Sequence, residues 1–417
     1  MSELWKCALL CFVLLVSHAS AQQATWIATW ASSPQPVAPD PEEPLYKIED
    51  QTVRERVRVS VGGARICLRF SNEYGSTPLL IGSVTVGVPV DAASVRPGSI
   101  QTVTFAGHNS TVIAAGAPAL SDPVPFPVSD GAEISISIYF PKRVVTPTLH
   151  ALALKHAAVS QHGDATHSEK IEAGVLSESS ILINAVLVPA GPSPRGIVAF
   201  GDSITDGDGT TLDADRNWPN DLVRRLGKMP DAPKMAVVNE GIAGNRLLSD
   251  GVGISFRFGV SALARFDRDV LGLPGVTHIV LLEGINDIGF PGAKLNERYL
   301  VDATDVHSAE DLIDGYRQLI ARAHAHGVKI IGATITPFEG VSLEGYYSEP
   351  KETIRQTVNK WIRTSDAFDG VIDFDAVLRD PEHPTRMLAR FASADHLHPN
   401  DVGYQAMADA IDLSLFR

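Results

Sequence analysis

The sequence predicts two domains of different class: an all-β sandwich over residues 22–190, then a doubly wound α/β domain with a five-stranded parallel sheet over 195–417. Three observations predict them. Apolar residues before residue 190 recur at period two. Those after 195 fall in short runs that alternate with helical stretches. Between them, "VPAGPSPRG" (188–196) interrupts both patterns with two prolines among Gly and Ser, as a linker does. A chain of 417 residues also exceeds one ordinary domain.

The first residues, "MSELWKCALLCFVLLVSHASAQQ", are expected to be removed. An apolar run from Ala8 to Val16 follows Lys6 and ends at Ala19-Ser20-Ala21, a small-x-small cleavage pattern. The run is too short to span a bilayer. A signal peptide over 1–21 therefore predicts a secreted or periplasmic protein with no membrane anchor after cleavage. Of three cysteines, Cys7 and Cys11 lie in this segment, so Cys67 is left alone and is expected to be a packed thiol. The formal net charge of −14 disfavours nucleic acid and anionic membranes as partners, because like charges repel.

Residues 22–190 read as strands. In "TVRERVRVSVGG", Val53, Val57, Val59 and Val61 share one parity, while Arg54, Arg56, Arg58 and Ser60 take the other. One face is expected to be buried and the arginine stripe to be solvated. "ICLRF" repeats the pattern with Ile66, Leu68 and Phe70, and "EISISIYF" with Ile134, Ile136, Ile138 and Phe140. Turn signals at Gly62-Gly63, Asn72-Glu73-Tyr74-Gly75 and Ser129-Asp130-Gly131 separate the runs. Trp26 and Trp30 are either sugar-stacking residues or packing residues, and their spacing of four suits a helix face.

After the linker, apolar runs occur at 197–200, 235–239, 276–283, 329–335 and 370–374. Trp218-Pro219 opens a helix that Gly227 closes. Ser308, with Asp311 three residues on, caps a second helix, whose stripe is Leu312, Ile313, Tyr316, Leu319 and Ile320. "PNDVGYQAMADAIDLSLF" supplies the last helix. Ligands of such sheets sit at the carboxyl ends of the strands.

One of those ends carries "IVAFGDSITDGDGTT" (197–211). Phosphate binding is disfavoured: no Lys stands where a P-loop needs one, and Asp202, Asp206 and Asp208 would repel a pyrophosphate. Calcium binding is disfavoured because Thr210 breaks the run of oxygen ligands, leaving Asp206 and Asp208 as turn formers. The third reading, a nucleophile at Ser203, requires partners. Asp395 and His398, three apart before the last helix, can supply an oriented base. His396 beside them leaves a metal-ligand reading open, without a second ligand pair elsewhere. His324 and His326 sit at a helix end and read as capping residues. For an oxyanion, Gly241 and Gly244 in "VVNEGIAGNRLL" permit close backbone approach, and Asn286 in "LLEGINDIG" carries an amide donor. Trp218 either lines the acyl pocket or staples its helix.

In order, Gly201-Asp202-Ser203, Gly244 in "GIAGN", Gly284-Ile285-Asn286-Asp287 and Asp395-His396-Leu397-His398 resemble the four blocks of the SGNH or GDSL hydrolase family. The resemblance covers 195–417 and implies that family's flavodoxin-like fold. It implies Ser203 as nucleophile, His398 as base and Asp395 as its orienting acid. It also implies an oxyanion hole formed by the Ser203 and Gly244 N–H groups and the Asn286 amide, with no metal and no organic cofactor. Ile204 replaces the usual leucine of GDSL. The block spacing is most similar to a branch associated with xylan-degrading bacteria and described as arylesterases or acylhydrolases, and "TVRERVRVSVGGARICLRFSNEYGSTPL" looks like the β domain of its secreted two-domain relatives.

The expected function is a secreted serine esterase acting on short-chain, acetyl esters of a carbohydrate. A lipase or arylesterase is the alternative within the class. A non-catalytic carbohydrate-binding protein and a calcium-binding adhesion module are the alternatives outside it.

Overall fold

The computed structural model describes residues 25–36, 47–191, 194–229 and 234–417. The expected signal peptide and part of the expected linker lie outside them. The fold class is the expected one: an antiparallel β region followed by a five-stranded parallel α/β domain.

The sandwich strands all lie between Trp26 and Pro189. A six-stranded antiparallel sheet runs in the order Ala173–Ser177, Ala157–Ser160, Gln51–Arg58, Glu133–Phe140, Ser83–Gly87, Gln101–Val103. A four-stranded sheet runs in the order Trp26–Ala31, Ile183–Pro189, Cys67–Ser71, Pro118–Leu120. The period-two residues meet between the sheets: Val53, Val57, Ile134, Ile136 and Ile138 of the first pack with Leu68, Phe70, Val186 and Val188 of the second. Each buried side chain of this kind contributes about 1.5–3 kcal/mol relative to exposure. Trp26 and Trp30 lie on a strand, not a helix, and pack against the apolar clusters.

The arginine stripe departs from expectation, because it is not a solvated face. Arg54 is fully buried and donates to the Ser137 hydroxyl and to the carbonyls of Ala93, Ser168 and Glu169. Arg56 pairs with Asp213 at 2.5 Å and Arg58 with Asp215 at 2.6 Å. Both aspartates follow the Gly/Asp loop in the α/β domain, so that domain covers the Arg56–Arg58 end of the strand's second face, while the β domain itself covers Arg54.

The parallel strands are Gly196–Gly201, Ala236–Gly241, Val276–Leu282, Lys329–Ala333 and Gly370–Ile372. Their order across the sheet puts the second strand at one edge, then the first, third, fourth and fifth, so the direction of winding reverses beside the first strand. Helices form where the caps predict. Asn217 caps Trp218–Leu226, with Gly227 after it, and Ser308 and Asp311 form a capping box on Ala309–Ala325. Asn400 caps Asp401–Ala410. The sandwich is packed onto this domain: Ala28, Ala31, Cys67, Ala185 and Leu187 share one apolar cluster with Val198, Phe200 and Val238. Cys67 is buried there, which raises its thiol pKa and suits the expected packed thiol.

Candidate active site

The first parallel strand ends at Gly201, and the chain turns into a single helical turn, Ser203–Asp206. Asp202 caps that turn, its carboxylate accepting the Ile204 N–H at 3.0 Å. Ser203 is therefore the first helical residue, where the backbone N–H has no partner within the helix and is free to meet an anion. The turn sits tightly on the sheet. A Cβ at Gly201 would lie 2.1 Å from the Leu282 carbonyl, and one at Gly241 would lie 2.3 Å from the Asp206 nitrogen. Gly241 thus serves this close approach.

The structure brings Ser203, His398 and Asp395 together. The Ser203 hydroxyl lies 2.8 Å from His398 Nε2, and His398 Nδ1 lies 2.5 Å from Asp395 Oδ2. A carboxylate only accepts, so the ring proton is on Nδ1 and Nε2 accepts the serine O–H. The other Asp395 oxygen accepts from the Ser393 hydroxyl and from the N–H groups of Leu397 and His398. Burial would raise the Asp395 pKa, but the bonds from His398 and Ser393 hold it far below the ordinary carboxylate range. Burial would likewise lower the His398 pKa. The bond to Asp395 and the charges of Asp208, Asp395 and Asp202 outweigh that and raise it above the ordinary histidine value. Asp208, a residue of the opening loop, places a carboxylate oxygen 3.7 Å from Nε2. His396 points elsewhere: it is exposed, at a positive φ of 59°, in the turn between its two neighbours.

Gly244 and Asn286 face the same cavity as Ser203 and His398. Gly244 has a φ of +78°, and a Cβ there would lie 2.3 Å from the Phe258 ring, so both conformation and space demand glycine. Asn286 is 2 % exposed and its amide is locked. Tyr346 Oη donates to Oδ1 at 2.7 Å and Nδ2 donates to the Asn245 carbonyl at 2.9 Å, which fixes the flip and leaves one N–H for a ligand. The Asp287 carboxylate accepts the N–H groups of Leu247 and Leu248, fastening the loop that carries Gly244. Arg265, fully buried, donates to the carbonyls of Gly201 and Glu240 at the ends of two strands. The roles of Tyr346, Asp287 and Arg265 have no local sequence pattern, although Asp287 stands in the GIND block.

The cavity has a volume of about 320 Å³. Phe258, Phe290, Leu295, Leu300, Leu343 and Leu397 line it, with Gln35, Arg257 and Asp208 as polar groups. Trp218 is not among its walls: it is fully buried against Phe374 and staples its helix. Trp26 and Trp30 do not line it either. His324 pairs with Asp369 and His326 bonds the Arg322 carbonyl at the end of the helix.

Residues 199–406 match the model of the GDSL-like lipase/acylhydrolase family. Among curated proteins, no sequence matches. Solved structures align over about half of the chain. A GDSL-like lipase from Bacteroides thetaiotaomicron is 17% identical, with 54% of this chain and 90% of that one covered and a TM-score of 0.38. The aryl esterase of M. smegmatis is 15% identical, covering 52% and 95%, with a TM-score of 0.39. A carbohydrate acetylesterase family member from Sinorhizobium meliloti is 16% identical, covering 52% and 94%, with a TM-score of 0.38.

Proposed function

Since the chain belongs, through residues 199–406, to the GDSL-like lipase/acylhydrolase family and is a carboxylic ester hydrolase, we propose that Ser203 is its nucleophile, His398 its general base and Asp395 the acid that orients that base. The single observation that carries this reading is the continuous chain of hydrogen bonds from the Ser203 hydroxyl through His398 to Asp395.

Ser203 Oγ attacks the ester carbonyl as Nε2 takes its proton, and the carbonyl oxygen becomes an oxyanion. The Ser203 and Gly244 N–H groups and the free Asn286 N–H are the donors for that oxyanion. The imidazolium gives its proton to the leaving alkoxide, the C–O bond breaks, and an acyl-serine remains. Water, deprotonated by Nε2, then attacks the acyl carbon; the acyl–Oγ bond breaks, Nε2 returns the proton to Ser203 Oγ, and the acid is released. The imidazolium that forms twice per cycle is stabilised by Asp395 and by the Asp208 charge nearby.

The cavity favours an ester with an apolar acyl or aryl part. Its walls are Phe and Leu, and its volume is of the order that pockets for drug-sized ligands have, well beyond an acetyl group. Each buried CH₂ is worth about 0.8 kcal/mol, or about fourfold in kcat/KM, until the cavity is filled. The reading as an acetyl esterase of exported carbohydrate rests on the signal-like N-terminus and the β domain. Trp26 and Trp30, packed away from the cavity, lend it no sugar platform. A panel of p-nitrophenyl esters from acetate to decanoate, with acetylated xylan beside it, separates the two. A maximum beyond acetate is expected; highest activity on the xylan would overturn the apolar reading. Export is tested by the N-terminus of the protein recovered from its host, expected just after Ala21. The Ser203→Ala variant should lose hydrolysis of every ester while keeping its melting temperature.

A further inference from the structure

The steps above use only side chains of the α/β domain, yet Gln35, Ala151 and Leu152 of the β domain also line the cavity. The contacts behind them reach both halves of the site. His150 is buried at the end of the short strand Leu149–His150. Its Nδ1 lies 3.0 Å from the Ser33 carbonyl, which only accepts, so Nδ1 carries a hydrogen. Its Nε2 lies 3.0 Å from Asp206 Oδ1. Asp206 is the last residue of the turn that begins at Ser203. The other Asp206 oxygen accepts the N–H of Ala243, at 3.0 Å, the residue before Gly244. One imidazole and one carboxylate thus join the nucleophile turn to the oxyanion turn. A second strut arrives from the other side. Gln35 accepts from the Ala151 N–H and donates to the Arg257 carbonyl, and the ring of the next residue, Phe258, lies against Gly244.

We propose that His150 is a positioning residue for ester hydrolysis, through which the β domain holds the Ala243–Gly244 turn in register with Ser203. The proposal rests on the roles given above to Ser203 and Gly244. An oxyanion donor acts only within about 2.7–3.1 Å of the developing charge, so a small shift of that turn costs rate and leaves ground-state binding largely unaffected. Without a donor at Nε2 the buried Asp206 carboxylate loses its charge partner and the contact that fixes Oδ1, and with it the fixed placement of the Oδ2 that holds Ala243.

Two variants of the full chain separate positioning from packing. In His150→Gln the amide reaches the place of Nε2 and keeps the bond to Asp206. In His150→Asn the amide reaches only the place of Nδ1 and keeps the bond to Ser33. The readouts are kcat and KM on a p-nitrophenyl ester, the rate at which a fluorophosphonate labels Ser203, and the melting temperature. His150→Asn is expected to lose about 10²-fold in kcat and a comparable factor in labelling, with KM within about twofold. His150→Gln is expected to recover most of both, although both variants melt lower than wild type. Equal losses in the two variants, or wild-type kcat in His150→Asn, would overturn the proposal. Should His150→Asn not fold, Asp206→Ala decides, since it removes both bonds: a kcat loss of the same order at unchanged KM is expected, and a wild-type kcat overturns it. A wild type that is neither labelled nor active sinks the Ser203 assignment and this proposal together, whereas a labelled wild type with unaffected His150 variants sinks the proposal alone.

Discussion

His398 works as a base only when neutral, and its surroundings raise its pKa above the ordinary value of about 6.5. Activity is therefore full at high pH and is lost as pH falls through that raised value. The acid limb of kcat/KM is therefore expected to have its midpoint above the ordinary histidine range. Asp208 is one of the charges responsible, so Asp208→Asn should move the midpoint to lower pH. An unmoved limb in that variant would remove Asp208 from the account. Asn286→Ala should lower kcat by about 10²–10³ with little change in KM, since only the transition state carries the oxyanion. A rise in KM at constant kcat would instead make Asn286 a substrate-binding group. At this scale the sequence was informative where chemistry demands one residue type. Ser203 and Asn286, just after strand ends, and Asp395 and His398, just before the last helix, stand out as a set. Asp208 and Tyr346 do not, because their roles depend on distances across the fold and not on neighbours in the chain.

Elements were legible where their signals are local. The capping box at Ser308 and Asp311 and the glycine after Leu226 mark their helices within a residue or two, because a cap is chemistry between near neighbours. Alternation marked the strands for the same reason. The arginine stripe misled because alternation reports that one face of a strand is apolar and is silent about what covers the other. Here the cover comes for Arg56 and Arg58 from Asp213 and Asp215, 157 residues further along, and for Arg54 from Ala93, Ser137 and Ser168 within the β domain. The two tryptophans misled through spacing alone: they lie on a strand with a bulge between Ala28 and Trp30, and they pack against different apolar clusters. The turn that carries Gly244 offers the sharpest test among the elements. Gly244→Ala would have to place a methyl group 2.3 Å from the Phe258 ring at a φ of +78°. We expect kcat to fall at least 10-fold and the melting temperature to drop. Adding Phe258→Ala should restore part of the melting temperature, because it removes the clash and leaves the backbone strain. An unperturbed Gly244→Ala enzyme would contradict the placement of that turn.

For the whole molecule, the two domains are expected to unfold as one. Alanines of the first strand and Leu187 share a core with the parallel sheet. Arg56, Arg58 and Lys155 meet Asp213 and Asp215 across the junction, and Ser33 bonds the buried Glu240. A junction that is both apolar and paired in this way couples the halves more firmly than a typical domain contact. Calorimetry of the full chain should show a single transition whose calorimetric and van't Hoff enthalpies agree. Two separable transitions would contradict that coupling. None of this junction is visible in the sequence, where residues 188–196 read as a linker between independent units.

Ser203 is the residue expected to become acylated. The most direct measurement is intact mass after brief exposure to a fluorophosphonate, followed by peptide mapping. A single adduct on the peptide that carries Ser203, absent from the Ser203→Ala variant and formed more slowly at low pH, is the result predicted. An adduct on another residue, or one that persists undiminished in Ser203→Ala, would contradict it.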